Sequence, residues 1–155
     1  MEDTPRILLV EDREDDVLLF MRALRKSGIK VEVDVAEDGV AAIEYLEIRK
    51  SNPRAPEAPL PVVVLLDINM PVVNGFEVME WIQSNPEIAQ ETRPVFLTSS
   101  DALADHERAK ALKVEDYWVK PNSPDGYRDL MESLKNCLAQ PGTDPDRLDA
   151  MAKFP

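Results

Sequence analysis

Cysteine is nearly absent from the 155-residue chain: Cys137 stands alone, which excludes an internal disulfide and a cysteine-built zinc centre. Its helical context predicts a packed thiol. Histidine is as scarce, and the single residue, His106, falls in the middle of an expected exposed helix, a solvated position rather than a catalytic one. Neither G-x-x-x-x-G-K-[ST] nor G-x-G-x-x-G occurs, so the usual nucleotide-phosphate cradles are missing. No apolar run approaches the eighteen or so residues of a membrane span, and residues 1–5 lead directly into a strand; neither a span nor a signal peptide is expected, and the expected location is cytoplasmic. Positive charge is also short. Against 30 acidic residues there are 18 basic ones, a net charge of −12, which opposes binding to nucleic acid or an anionic membrane and favours protein partners or hard cations.

What remains is a globular composition, 44% hydrophobic and 31% charged, long enough for one domain (residues 1–140) and a short tail (141–155). Runs rich in Val, Ile and Leu at Arg6–Val10, Lys30–Val35, Val62–Leu66, Pro94–Leu97 and Tyr117–Val119 predict five strands. Between them, Val17, Phe20, Met21 and Leu24 share a helical face, as do Val40, Ile43 and Leu46, and Tyr127, Leu130, Met131, Leu134 and Leu138. The last helix has a marked start, with Ser123 as cap, Pro124 in the first position and Asp125 at the positive dipole end; Pro141-Gly142 stops it. Five alternating βα units predict an α/β fold, a doubly wound parallel sheet with helices on both faces. Residues 50–61 carry four prolines and read as an extended loop, a tolerated surface insertion. In the tail, Leu148, Met151 and Phe154 share helical spacing.

The third strand is apolar on both faces and ends in Asp67, so it reads as a buried central strand whose terminal carboxylate meets the crevice beyond the carboxyl edge of the sheet. A turn-initiating aspartate is the plainer alternative. The first strand ends in Glu11-Asp12, and in a doubly wound sheet the first and third strands are neighbours, which gathers the three acids. Such acids need a cation, and an all-oxygen set with few carboxylates suits Mg²⁺ or Mn²⁺. Residues Glu11 to Asp16 could instead be a solvated acidic run in which Asp15 or Asp16 caps the next helix. Lys120 closes the fifth strand, and Thr98, Ser99 and Ser100 follow the fourth, where Ser100 or Asp101 could cap a helix. Together these residues describe phosphoryl transfer: Asp67 as nucleophile, a cation held by Asp12 and Asp67 and by Glu11 through water, Lys120 and Thr98 on phosphoryl oxygens.

In these residues the chain resembles the receiver domain of two-component response regulators, over about Arg6 to Leu138: Glu11-Asp12, Asp67, Asn69, Met70-Pro71, Asn74-Gly75, Thr98, Tyr117 and Lys120-Pro121 stand in the family's order. The resemblance implies a flavodoxin-like sheet of order 2-1-3-4-5 and a phosphoryl group taken by Asp67 from a histidine kinase. It further implies Mg²⁺ dependence with a metal contact from the Asn69 backbone carbonyl, slow self-dephosphorylation, and a switch in which Thr98 moves and Tyr117 turns inward. Counting forward from Pro94 selects Ser99 in place of Thr98; Thr98 is taken, with Ser99 in reserve. The glycine usual before the fifth strand is absent, since Lys113 follows Ala111-Leu112. The proline loop and tail look like those of regulators paired with phytochrome-type photoreceptor kinases. Partners implied are such a sensor kinase, a downstream protein, and a second copy bound through the fourth helix, fifth strand and fifth helix or through the tail. A metal-dependent phosphatase or phosphotransferase with an aspartyl-phosphate intermediate is the rival reading.

Overall fold

The computed structural model describes residues 4–114 and 116–139; the tail expected over 141–155 lies outside them. Its elements follow as β1 (Arg6–Val10), α1 (Glu14–Ser27), β2 (Glu32–Ala36), α2 (Gly39–Arg49), β3 (Val63–Leu66), α3 (Gly75–Gln83), α4 (Pro86–Ala89), β4 (Arg93–Thr98), α5 (Leu103–Ala111), β5 (Tyr117–Val119) and α6 (Pro124–Ala139). The five strands form one parallel sheet in the order β2-β1-β3-β4-β5, the flavodoxin-like arrangement.

All four residues of β3 are buried, because β1 and β4 flank it and helices cover both faces. The two-residue period of a strand divides the core. Leu8, Val10, Val64, Leu66 and Phe96 pack with α2 and α3 on one face. Ile7, Leu9, Val63, Leu65, Val95 and Leu97 pack with Phe20 and Leu24 of α1 and Leu130, Met131 and Leu134 of α6 on the other. Each such side chain contributes ~1.5–3 kcal/mol on burial. Cys137 is buried in this second layer, and its thiol pKa is raised by burial.

Local chemistry explains the ends of the elements. Gly126 N–H donates to Ser123 Oγ at 3.1 Å, the cap expected at the start of α6. At the end of α5, Lys113 takes the left-handed conformation (φ 62°), with Lys113 N–H bonded to Lys110 O and Val114 N–H to Ala109 O; a lysine thus occupies the place usually given to glycine.

Several expectations are corrected. The N-cap of α1 is Arg13 and that of α5 is Ala102, neither with a side-chain cap bond, so Asp15, Asp16, Ser100 and Asp101 do not cap these helices. On α2 the buried face is Gly39, Ala42 and Leu46, with Ile43 packed beside it; Val40 lies one helical step off that stripe and is exposed. Residues 50–61 form turns instead of an extended chain, and Ala55 and Leu60 are buried. Thr92 beside α4 donates from Oγ1 to Pro61 O at 2.7 Å. The short α4 lies between the third and fourth βα units, so the predicted face of fourth helix, fifth strand and fifth helix is formed by α5, β5 and α6.

Candidate functional site at the carboxyl edge of the sheet

The register pairs Val10 with Leu66, which places the residues that follow, Glu11 and Asp67, side by side. Asp67 N–H donates to Val10 O at 3.2 Å and Glu11 N–H to Ala36 O at 3.0 Å, so backbone bonds continue past the strand ends and fix the main chain from which both carboxylates extend. Glu11, Asp12 and Asp67 each bring a carboxylate oxygen within 4.8 Å of the others. These hard oxygen donors suit a divalent cation. Contrary to the open placement expected for a crevice residue, Asp67 is only 3% exposed and Glu11 4%, whereas Asp12 faces solvent.

The buried acids are covered by Lys120. Its Nζ stands 2.5 Å from Glu11 Oε2, 2.9 Å from Asp16 Oδ2 and 3.1 Å from Asp67 Oδ2. Lys120 reaches this point because Lys120 N–H continues the β4–β5 pairing by donating to Thr98 O at 2.8 Å. Burial pushes the Glu11 carboxyl up to about 7, an effect the Lys120 bond opposes and the neighbouring Asp67 charge increases. Burial works against the Lys120 ammonium, but its bonds to Glu11 and Asp16 and the field of Asp67 raise its pKa overall. Asp16, a helix-start acid by its sequence position, is joined to Lys120 by tertiary packing that no local pattern signals.

Thr98 ends β4 and is fully buried, while Ser99 is exposed. Thr98 Oγ1 accepts from Ser100 N–H at 3.2 Å. The Tyr117 hydroxyl donates to Ser100 O at 2.7 Å, and burial raises its pKa and keeps it protonated. One face of the Tyr117 ring carries His106, ring centroids 3.9 Å apart, and His106 Nε2 lies 2.9 Å from Asp101 Oδ1. His106 is therefore packed on Tyr117 rather than simply solvated. A hint lay in the sequence: His106 sits mid-helix on the element that precedes the Tyr117 strand.

The loop after β3 holds Asp67 in place. Asn69 is exposed, and its N–H donates to Asp67 Oδ1 at 3.4 Å. Val73 N–H bonds to Pro71 O at 2.8 Å around Val72, whose φ is 68°, a tight turn that strains a β-branched residue. Asn74 then caps α3 reciprocally with Glu77. Gly75 is required by close approach: a Cβ there would stand 2.2 Å from Asp67 O. An open crevice of about 390 Å³ lies beside this loop, lined by Asn69, Met70, Asn74 and Arg108 among others. A cavity of about 630 Å³ between α1 and α6 is lined by none of the acid trio, so cavity volume does not mark the site.

Residues 7–135 match the response regulator receiver domain. The chain is 34% identical over 134 residues to the probable methanogenesis regulatory protein FilR2 of Methanothrix harundinacea, covering 86% of this chain and 83% of the relative. It is 35% identical over 132 residues to the response regulator Rcp1 of Synechocystis, covering 83% of each. The Mn²⁺-bound crystal structure of Rcp1 superposes with a TM-score of 0.70 at 30% identity, over 85% of this chain and 92% of that one. The bacteriophytochrome response regulator AtBRR gives 0.68 at 34% identity, over 86% and 94%. With a match over this length and relatives of this similarity, the chain belongs to the response regulator receiver domain family.

Proposed function

We propose that this receiver accepts a phosphoryl group on Asp67 from the phosphohistidine of a sensor histidine kinase and signals by protein contact. The observation that supports this most is the ammonium of Lys120, 3.1 Å from Asp67, in the same pocket as an acid trio whose oxygens lie within 4.8 Å of one another. An Asp67 oxygen attacks phosphorus; the bond from phosphorus to the histidine nitrogen breaks, its electron pair stays on the imidazole, and an acyl phosphate remains. Glu11, Asp12, Asp67 and the backbone carbonyl of Asn69 would hold a divalent cation, Mg²⁺ or Mn²⁺, which when bound neutralises phosphoryl oxygens. Lys120 donates an N–H hydrogen bond to one phosphoryl oxygen, and Thr98, at the buried end of β4, donates a hydroxyl hydrogen bond to another, with Ser99 exposed beside it. Drawing Thr98 toward the phosphoryl group changes the Ser100 segment that holds the Tyr117 hydroxyl, and so the surface of α5, β5 and α6. Slow loss of the phosphoryl group to water returns the resting state.

The relatives named as phytochrome regulators support a phytochrome-type kinase as donor, in the cytoplasm. Output runs through a downstream protein or a homodimer on the α5, β5 and α6 face, where Leu103 and Val119 are exposed; mass in solution with and without phosphorylation tests the dimer. The deciding experiment incubates the protein with Mg²⁺ and a small acyl phosphate and compares intact masses of wild type and Asp67→Asn. One phosphoryl group on the wild type and none on the variant is expected. Equal labelling of both, or rapid turnover of phosphate monoesters by the wild type, would reject the reading, the latter in favour of a phosphatase.

A further inference from the structure

Lys120 has three N–H donors, and three carboxylates take them: Glu11, Asp16 and Asp67. Glu11 and Asp67 also belong to the acid trio, so any cation held there draws on the same carboxylates that hold Lys120. Asp16 does not belong to the trio. It lies in the first turn of α1 and spends no side-chain bond on capping that helix. Its Oδ2 meets the ammonium at 2.9 Å across 104 positions of chain, with the exposed Arg13 Nε a looser neighbour at 3.7 Å. The Lys120 side chain is 10% exposed and that of Asp16 25%, so the pair sits at the wall of the pocket and not in open solvent.

We infer that Asp16 is the positioning residue for Lys120: it tethers the ammonium beside Asp67 by a contact that does not draw on the acid trio. A lysine ammonium is a point charge on a flexible stem. Without Asp16, Lys120 keeps only Glu11 and Asp67, the two carboxylates a cation needs, so lysine and cation compete for them, and a cation that binds releases the ammonium from the place where it meets an incoming phosphoryl oxygen. The kinetic part rests on the reading of Asp67 as phosphoacceptor; the tether itself does not. Asp15, exposed in the same helical turn, carries the same charge without contacting Lys120 and serves as the control for a helix-end or long-range field effect.

The test is a double-mutant cycle of Asp16→Ala and Lys120→Met, read by Mn²⁺ affinity of the unphosphorylated protein and by the rate of labelling from a small acyl phosphate. In the wild-type background Asp16→Ala should slow labelling about tenfold and weaken Mn²⁺ binding beyond any change caused by Asp15→Ala. In the Lys120→Met background it should add nothing to either. Thermal denaturation checks folding, and the isosteric Asp16→Asn replaces Asp16→Ala should the latter not fold. Equal losses in both backgrounds, or a loss no larger than that of Asp15→Ala, would overturn the tether. Absence of label on the wild type would overturn the phosphoacceptor reading instead, and the Mn²⁺ cycle would still decide for or against Asp16.

Discussion

Replacing Asp12 by Asn should stabilise the metal-free protein and remove most of what a divalent cation adds. At 4.8 Å, the outer limit of separation in the acid trio, two unit charges repel by about 3.5 kcal/mol at an effective dielectric of ~20 and by about 0.9 kcal/mol in bulk water. Asp12 is exposed, so above about pH 8, where Glu11 with its pKa of about 7 is ionised, its repulsion from Glu11 and Asp67 lies near the lower figure for each, and attraction from Lys120 removes part of the sum. A net gain of about 1 kcal/mol remains, which for a chain of this size raises the unfolding midpoint by roughly 2–4 °C. A cation at a hundred times its dissociation constant adds about 2.7 kcal/mol to the wild type, and far less to a variant lacking one of the carboxylates. The two stability curves therefore cross: Asp12→Asn is the more stable protein in chelator, the wild type in saturating Mg²⁺ or Mn²⁺. Urea or thermal unfolding under both conditions measures it. A variant less stable than wild type in chelator, or one stabilised equally by the cation, would refute the idea that the trio is held together against its own repulsion.

Three further outcomes are expected. Glu11 has its pKa raised from 4.5 to about 7 in the folded protein, so the folded state binds the proton more tightly than the unfolded one; that stabilisation is complete below about 4.5 and lost as pH rises through about 7. The unfolding midpoint of the metal-free wild type, measured against Glu11→Gln, should fall across this window, and a constant difference would contradict the assignment. Val72→Gly should relieve ~1–3 kcal/mol of backbone strain against ~0.5–1 kcal/mol of added chain entropy, a net stabilisation of about 1 kcal/mol; denaturant titration showing a loss would be the opposite result. Gly75→Ala drives a methyl group to within 2.2 Å of Asp67 O, against backbone that cannot yield cheaply. It should cost about 1–3 kcal/mol and weaken Mn²⁺ binding by displacing Asp67, and wild-type stability and affinity would rule the contact unimportant.

The central strand was legible because Val62 to Leu66 are apolar without alternation, which only a strand covered on both faces requires. The start of α6 was legible for a local reason, Ser123-Pro124-Asp125 carrying its own capping chemistry. Val40, by contrast, shares helical spacing with Ile43 and Leu46, but the stripe of α2 that packs runs through Gly39, Ala42 and Leu46, and spacing alone does not say which edge of an apolar face meets the sheet. The placement of Glu11 beside Asp67 followed from sheet order, but their burial did not, because it depends on Lys120 folding over them from a strand more than fifty positions away. Asp16 and His106 escaped for the same reason: their partners, Lys120 and Tyr117, are set by tertiary packing, and a local reading offers each a sufficient role as a helix-start acid or a surface imidazole.

Borohydride reduction of the protein after incubation with Mg²⁺ and a small acyl phosphate, followed by peptide mapping, tests the phosphoacceptor most directly. An aspartyl phosphate is reduced to homoserine, so the account predicts homoserine at position 67 and an intact Asp12. Homoserine at another position, or a phosphate that survives the reduction in an ester linkage, would contradict it.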